Sequence, residues 1–282
     1  MHSRAFILTG LAMVAFAGNS LLTRAALRET GIDAASFTSI RLASGALVLW
    51  GLVVLRGHGI SGSGNWWSAL ALFGYGAAFS FAYIDLSTGM GALLLFGAVQ
   101  ATMIGYGLWQ GERLEPLQWL GFLMAFGGLA GLLMPGLSAP PIASSALMIG
   151  AGVAWGIYSL RGRAAGDATR VSSGNFARAV AFALVLSLLM VDQASLDAAG
   201  TGYALASGAI TSALGYAIWY TALPMIRAVT AATVQLTVPV IAALGGIVLL
   251  GEPLTLRLVL AGAAILGGIW LVVLEKQQTA KA

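Results

Sequence analysis

Apolar residues run along this chain in blocks of about twenty, and polar residues gather between the blocks. A helix that crosses the hydrocarbon of a bilayer needs roughly 17–25 mostly apolar residues. The pattern predicts ten such helices, over residues 5–23, 33–55, 66–84, 88–110, 115–134, 142–160, 174–191, 203–222, 229–250 and 254–274. Pro135, Pro140 and Pro141 break the chain between the fifth and the sixth. The expected class is an all-α polytopic membrane protein with ten transmembrane helices.

The blocks repeat. Gly111-Glu112 and Gly251-Glu252 are one landmark written twice, 140 residues apart, each followed by a proline, Pro116 and Pro253. The same shift lays Gly105, Gly127 and Gly128 over Gly245, Gly267 and Gly268. Earlier in each copy, Val14-Ala15-Phe16 through Arg24-Ala25-Ala26 matches Val153-Ala154-Trp155 through Arg163-Ala164-Ala165. A chain that repeats at half its length is a duplicated architecture. The expected units are residues 1–137 and 138–282, each a five-helix repeat within one membrane domain. An odd helix count makes the second copy enter the membrane in the opposite sense, so the repeats are inverted. In secondary transporters such repeats enclose a substrate site near mid-depth.

Composition agrees. Hydrophobic residues make up 59% of the chain, charged residues 9%, and mean hydropathy is +0.90. A soluble domain carries about 25% charged residues, so the solvent of this chain is lipid. With the N-terminus cytoplasmic, inner loops and tails carry Arg4, Arg56, Arg113, Arg161, Arg163, Arg170, Arg227, Lys276 and Lys281. Outer loops then carry Arg24, Arg28 and Arg257. That bias predicts both termini in the cytoplasm. Trp50, Trp66, Trp67, Trp109 and Trp119 fall near helix ends, as an interfacial belt requires. Arg4, an apolar run and Ala15-Phe16-Ala17 imitate a cleaved signal peptide, but the first block has a repeat partner that cannot be one, so it is expected to be retained. The net charge of +4, with no basic run, gives no case for nucleic acid.

These residues carry a resemblance. Two five-helix halves, each with Gly-Glu before its last helix and a Tyr/Ala-rich region around its third and fourth, resemble the EamA-type drug/metabolite transporters over essentially the whole chain. Asn19 in the first helix and Arg41 early in the second fit that family. The aromatic positions are most similar to those of the bacterial aromatic amino-acid exporters (YddG-like). The resemblance implies a transporter of small molecules in a bacterial inner membrane, without a cofactor; the sequence leaves monomer or homodimer open.

Candidate substrate-binding residues come from the register of the repeat. Phe16 and Asn19 map onto Trp155 and Tyr158, and Phe79 and Tyr83 onto Tyr216 and Tyr220, with Tyr75 one turn before Phe79. Each pair is spaced i,i+3 or i,i+4 and shares a helix face. Polar atoms within hydrocarbon turn toward protein or water, so these faces can enclose an aromatic cavity or pack helix on helix. Gln100 and Gln235 add amides able to hold an ammonium or a carboxylate. Pro239 is read as a mid-helix proline that frees a carbonyl. Arg41 and Arg178 are the charges clearly inside predicted spans rather than at their ends; both sit within a few turns of a helix start, where a side chain can snorkel, and a structural role is expected for them. Gly107/Gly111, Gly127/Gly131 and Gly152/Gly156 are small-xxx-small pairs suited to close helix approach.

Other chemistry is excluded or disfavoured. There is no cysteine, and His2 and His58 lie outside the spans, so neither a Cys-His nucleophile nor a His metal site is available. No phosphate-binding G-x-x-x-x-G-K-[ST] loop exists, which excludes ATP use by this chain. No acidic residue lies near the centre of a span, which favours a facilitator or exchanger over proton coupling. The expected function is export of small amphipathic metabolites, amino acids including aromatic ones. A transporter of drugs, sugars or nucleosides is the runner-up, ahead of an intramembrane enzyme or a receptor.

Overall fold

The computed structural model describes all residues except 1, 58–62, 112, 137–138, 163–166, 227–233 and 280–282, and every element among them is helical. The helices are α1 (His2–Glu29), α2 (Ala34–Leu55), α3 (Trp66–Tyr83), α4 (Thr88–Trp109), α5 (Pro116–Leu133), α6 (Ile142–Gly162) and α7 (Ala168–Leu189). Next comes α8, one continuous rod in three stretches: α-helix Ala198–Ala206, π-helix Ser207–Leu214 and α-helix Gly215–Ala222. Then follow α9 (Thr237–Leu250) and α10 (Leu256–Thr279).

Seven of these, α1, α2, α4, α5, α6, α7 and α10, are long and apolar enough to cross a membrane. In α3, two tryptophans, two tyrosines and two glycines dilute the aliphatic content. In α8 a change of helical type interrupts the rod, and α9 is described over only 14 residues. Side-chain oxygens start several helices by accepting backbone N–H bonds: Asp33 for α2, Asn65 for α3, Asp167 for α7 and Asp197 for α8. Gly111 and Gly251 end α4 and α9 with φ of +87° and +63°, a left-handed turn that glycine adopts without steric cost. The landmark glycines thus close the helix before them.

Four helices overrun their apolar blocks by five or six residues: α1, α7, α8, which starts at Ala198, and α10, which runs to Thr279. α1 continues through Arg24 to Glu29, and α7 starts six residues before the expected 174. Hydropathy falls at a charge, but a helix does not end there if the charge finds a partner. Arg24, expected in an outer loop, is buried in α1 and forms an ion pair with Glu252 at 3.3 Å. Its Nη1 also donates to the carbonyls of Tyr83 and Ile84, at 2.8 and 2.7 Å. Both carboxylate oxygens of Glu252 accept the N–H of Thr88, the first residue of α4, where the helix dipole favours an anion. Glu112, the other landmark acid, lies outside the described residues.

Helices of residues 1–137 pack mainly on helices of residues 138–282. α3 and α4 flank α6, and α8 and α9 flank α1. α2 lies against α7 and α8, α3 also touches α7, α4 meets α9, and α5 pairs with α10. The α5–α10 crossing is closest where a Cβ added at Gly121 would stand 2.4 Å from the Gly268 carbonyl, and the reverse. Of the small-residue pairs read from sequence, Gly152/Gly156 sits against α4 at Leu95, Ala98 and Thr102, whereas Gly127/Gly131 meets nothing within 4 Å. Trp50, Trp66, Trp67, Trp109 and Trp119 are all exposed.

At the end carrying the α1–α2 turn, Asp33 and Ser195 exchange backbone and side-chain bonds of 3.0 and 2.9 Å. Burial alone raises the Asp33 carboxyl, but bonds from Ser36, Ser195 and Ala35 outweigh it and hold the group below its ordinary value. This clasp contributes stability above the ordinary carboxylate range and loses it as pH falls through the lowered value. Glu252→Gln leaves Arg24 buried without its counter-charge and is expected to cost about 3–5 kcal/mol. Thermal unfolding of the detergent-purified chain measures it; an unchanged midpoint would show that the pair does not support the fold.

Candidate functional site

The bundle centre holds a chain of aromatic rings. Phe16 of α1 meets Tyr216 of α8 at 5.9 Å between centroids, and Tyr216 meets Trp155 of α6 at 5.1 Å. Trp155 meets Tyr75 of α3 at 4.9 Å, and Tyr75 meets Phe79 at 5.3 Å. Around these rings lies a narrow cavity of ≈ 30 Å³, lined by Phe16, Asn19, Ser20, Tyr75, Phe79, Leu95, Phe96, Trp155, Thr211, Tyr216 and Gln235. That is room for a water or two, far less than an amino acid occupies. A substrate of that size enters only if the walls separate. The walls form two groups: α1, α8 and the segment at Gln235 that leads into α9 on one side, α3, α4 and α6 on the other.

A polar network stands behind the rings. The Asn19 side-chain N–H donates to the Tyr75 hydroxyl at 3.2 Å, and Asn19 Oδ1 accepts from Ser207 and Thr211 at 2.7 and 3.2 Å. Arg41 donates through Nη2 to the same Tyr75 hydroxyl at 3.0 Å and through Nε to Ser212 at 3.3 Å. Ser207, Thr211 and Ser212 all belong to the π-helical stretch of α8. Its wider turn brings residues both four and five apart onto one face, where α-helical spacing would align only those four apart. The backbones of α2 and α8 also approach closely. A Cβ added at Gly208 would stand 2.1 Å from the Arg41 carbonyl and 2.0 Å from Ser44 Oγ.

Of the twelve residues singled out in the sequence, Phe16, Asn19, Tyr75, Phe79, Trp155, Tyr216 and Gln235 line the cavity. The other five stand elsewhere. Tyr83 packs edge-on behind Phe79 and donates to the Thr88 carbonyl at 3.2 Å. Gln100 is buried in α4 off the cavity wall. Tyr158 lies beside Trp155, at 5.5 Å between centroids, and is not among the cavity-lining residues. Tyr220 is half-buried toward the end of α8, near Gly162. Pro239 falls in the first turn of α9, not mid-helix. With no N–H, it leaves the Gln235 carbonyl without a helical partner, and the helix is interrupted at Leu236.

The two intramembrane arginines part company. Arg178 turns to a helix end, where Nη1 donates to the carbonyls of Ser63 and Gly174 at 2.7 and 2.8 Å, with Trp66 alongside at 5.9 Å. Arg41 does not snorkel. It is 2% exposed, and its guanidinium carbon lies 5.1 Å from the ring centroids of both Tyr75 and Phe79. Ser20, Leu95, Phe96 and Thr211 were not singled out. Ser20 was legible as the polar neighbour of Asn19; Thr211 was hidden by the π-helical register, and nothing in a Leu-rich helix marks Leu95 or Phe96.

The profile of the EamA-like transporter family matches residues 143–274. An uncharacterised protein of Pseudomonas aeruginosa is 57% identical over 270 residues, 95% of this chain and 94% of that protein. The chain belongs to the EamA-like transporter family. An uncharacterised transporter of Archaeoglobus fulgidus is 24% identical over 293 aligned residues, covering 99% of this chain and 100% of its own. A solved crystal structure, 19% identical, superposes with a TM-score of 0.68 over 97% of this chain and 98% of its own, and so shares the fold. Within the drug/metabolite transporter superfamily, this is an integral, multi-pass membrane transporter.

Gly208→Ala is expected to push α2 and α8 apart and cost about 1–3 kcal/mol. Gly10, whose added Cβ would meet nothing within 4 Å, is the control. Equal unfolding midpoints for Gly208→Ala and Gly10→Ala would mean that the close approach does not shape the site.

Proposed function

We propose that the protein is a secondary transporter that exports small amphipathic metabolites, amino acids including aromatic ones, by alternating access through the central cavity. In this reading ten transmembrane helices form two inverted five-helix repeats, residues 1–137 and 138–282, in the bacterial inner membrane with both termini cytoplasmic. The observation that carries it is the shut aromatic cavity between two three-helix groups, each built from both halves of the chain.

Reciprocal packing supports the inversion. Exchanging each helix with the one five places on turns the α3–α6 contact into α8–α1, α4–α6 into α9–α1, and α2–α8 into α7–α3. The pairs α2–α7, α4–α9 and α5–α10 map onto themselves. Basic side chains at one end support the orientation: Arg56 bonds Thr169, and Arg161 bonds Ser68 and Asn65. At the other end, Arg24 and Glu252 belong to the α1–α8–α9 group and reach across to Thr88, Tyr83 and Ile84 of the α3–α4–α6 group. That crossing closes the cavity toward one side and is the contact that must part for release there. The cavity offers amides, hydroxyls and ring faces; cation–π contacts of about 0.5–2 kcal/mol suit an ammonium without an acid.

Counterflow into proteoliposomes loaded with unlabelled amino acid, using labelled phenylalanine, tryptophan or leucine outside, tests the reading. Saturable exchange is expected, and Trp155→Ala, which removes the ring joining Tyr75 to Tyr216, is expected to lower it about tenfold or more. Absence of saturable exchange for every amino acid tried would overturn the substrate class.

A further inference from the structure

Arg41 is the feature that the fold does not use up. It is buried in the middle of the bundle, and among the described residues it is in no ion pair; Arg24 and Arg28 are paired, with Glu252 and Glu29. Its Nε and Nη2 are bonded, but Nη1, buried, has no hydrogen-bond partner. Two ring faces cushion the cation at 5.1 Å each, yet a cushion does not neutralise a full charge removed from water. A charge buried in a membrane bundle without an ion-pair partner marks a substrate or ion pathway by default.

The Tyr75 hydroxyl points to the same need. It accepts one bond from Asn19 and one from Arg41, which uses both of its lone pairs. Its own proton is therefore left to be donated, and Tyr75 lines the cavity. An arginine donating to a hydroxyl also makes that hydroxyl a better donor. Donors without a matching acceptor, around one buried positive charge, describe a site for an anionic oxygen. Among the described residues, nothing in the cavity wall supplies a carboxylate for a cation.

We infer that the cavity selects its substrate by one anionic group, a carboxylate, which accepts from the Tyr75 hydroxyl on the wall and, as the walls part, from Arg41 Nη1 behind it, with a flat apolar body against Trp155 and Tyr216. The inference rests on the transporter reading above and narrows it: the carboxylate is required and the amino group is not. The substrate class is then the aromatic monocarboxylates, to which aromatic amino acids belong as members whose ammonium rests on ring faces. Arg41 and Tyr75 are specificity residues, and the ring chain provides bulk affinity.

Three probes with one ring and different charges test this by isothermal titration of the detergent-purified full chain: 3-phenylpropionate, phenylalanine and phenethylamine. The acid and the amino acid are expected to bind comparably, and the amine about tenfold more weakly or worse. Arg41→Gln is expected to bring acid and amine together, while Arg41→Lys, which keeps the charge, preserves their order. Tyr75→Phe, which keeps the ring and the Arg41 charge, guards against a folding defect in the Arg41 variants. It is expected to weaken the acid about tenfold and leave the amine unchanged. Binding of the amine as tightly as the acid would overturn the inference and leave the transporter reading standing, as would acid binding unchanged in both Arg41→Gln and Tyr75→Phe. Binding of none of the three would overturn the inference together with the aromatic-substrate reading.

Discussion

A polar atom deep in a bundle surrounded by hydrocarbon must find its partner within the protein, and in this chain that requirement converges on Asn19. One amide ties α1 to α3 through Tyr75 and to α8 through Ser207 and Thr211. Arg41 extends the same network to α2 and Ser212. The π-helical stretch of α8 follows from this demand, since it presents three hydroxyls on one side. The ring chain, in turn, has its place because Tyr75 is held at its hydroxyl end by Asn19 and Arg41.

The network also limits how the molecule can move. Asn19 and Tyr75 belong to opposite walls of the cavity, so their hydrogen bond breaks when the walls part. A substrate group that takes up the freed donors offsets that loss. The Arg24–Glu252 pair behaves differently. Both charges sit on one wall, so parting leaves the ion pair intact. Only Thr88 N–H and the carbonyls of Tyr83 and Ile84 must exchange their partners for water. A closure made this way holds firmly but opens without stranding a buried charge, which would cost several kcal/mol.

Much of this was legible in the sequence because hydropathy and register carry it. Apolar block length located the helices, with several ends five or six residues off, and the register of the repeat together with helical spacing brought Phe16, Trp155, Tyr75, Phe79 and Tyr216 into one set. What escaped was whatever depends on tertiary partners. Hydropathy ended α1 before Arg24 because it scores the charge and cannot see Glu252, 228 residues away. Snorkelling was the reasonable reading for Arg41 and Arg178 alike. It describes Arg178, while Arg41 stays buried because Tyr75 and Ser212 meet it there. Helical spacing likewise put Tyr83 and Tyr220 with the lining, although each lies one turn beyond the cavity. Thr211 was lost because periodicity arguments assume 3.6 residues per turn.

The absence of cysteine makes the central claim open to direct measurement. Ser20→Cys places a single thiol on the cavity wall, and a membrane-impermeant thiol reagent can be applied to oriented vesicles from either side in separate experiments. Alternating access predicts labelling from both sides, faster from the Glu252 side once Glu252→Gln has weakened the closure there. Labelling from one side only, or no labelling from either, would contradict a cavity that opens to each face of the membrane in turn.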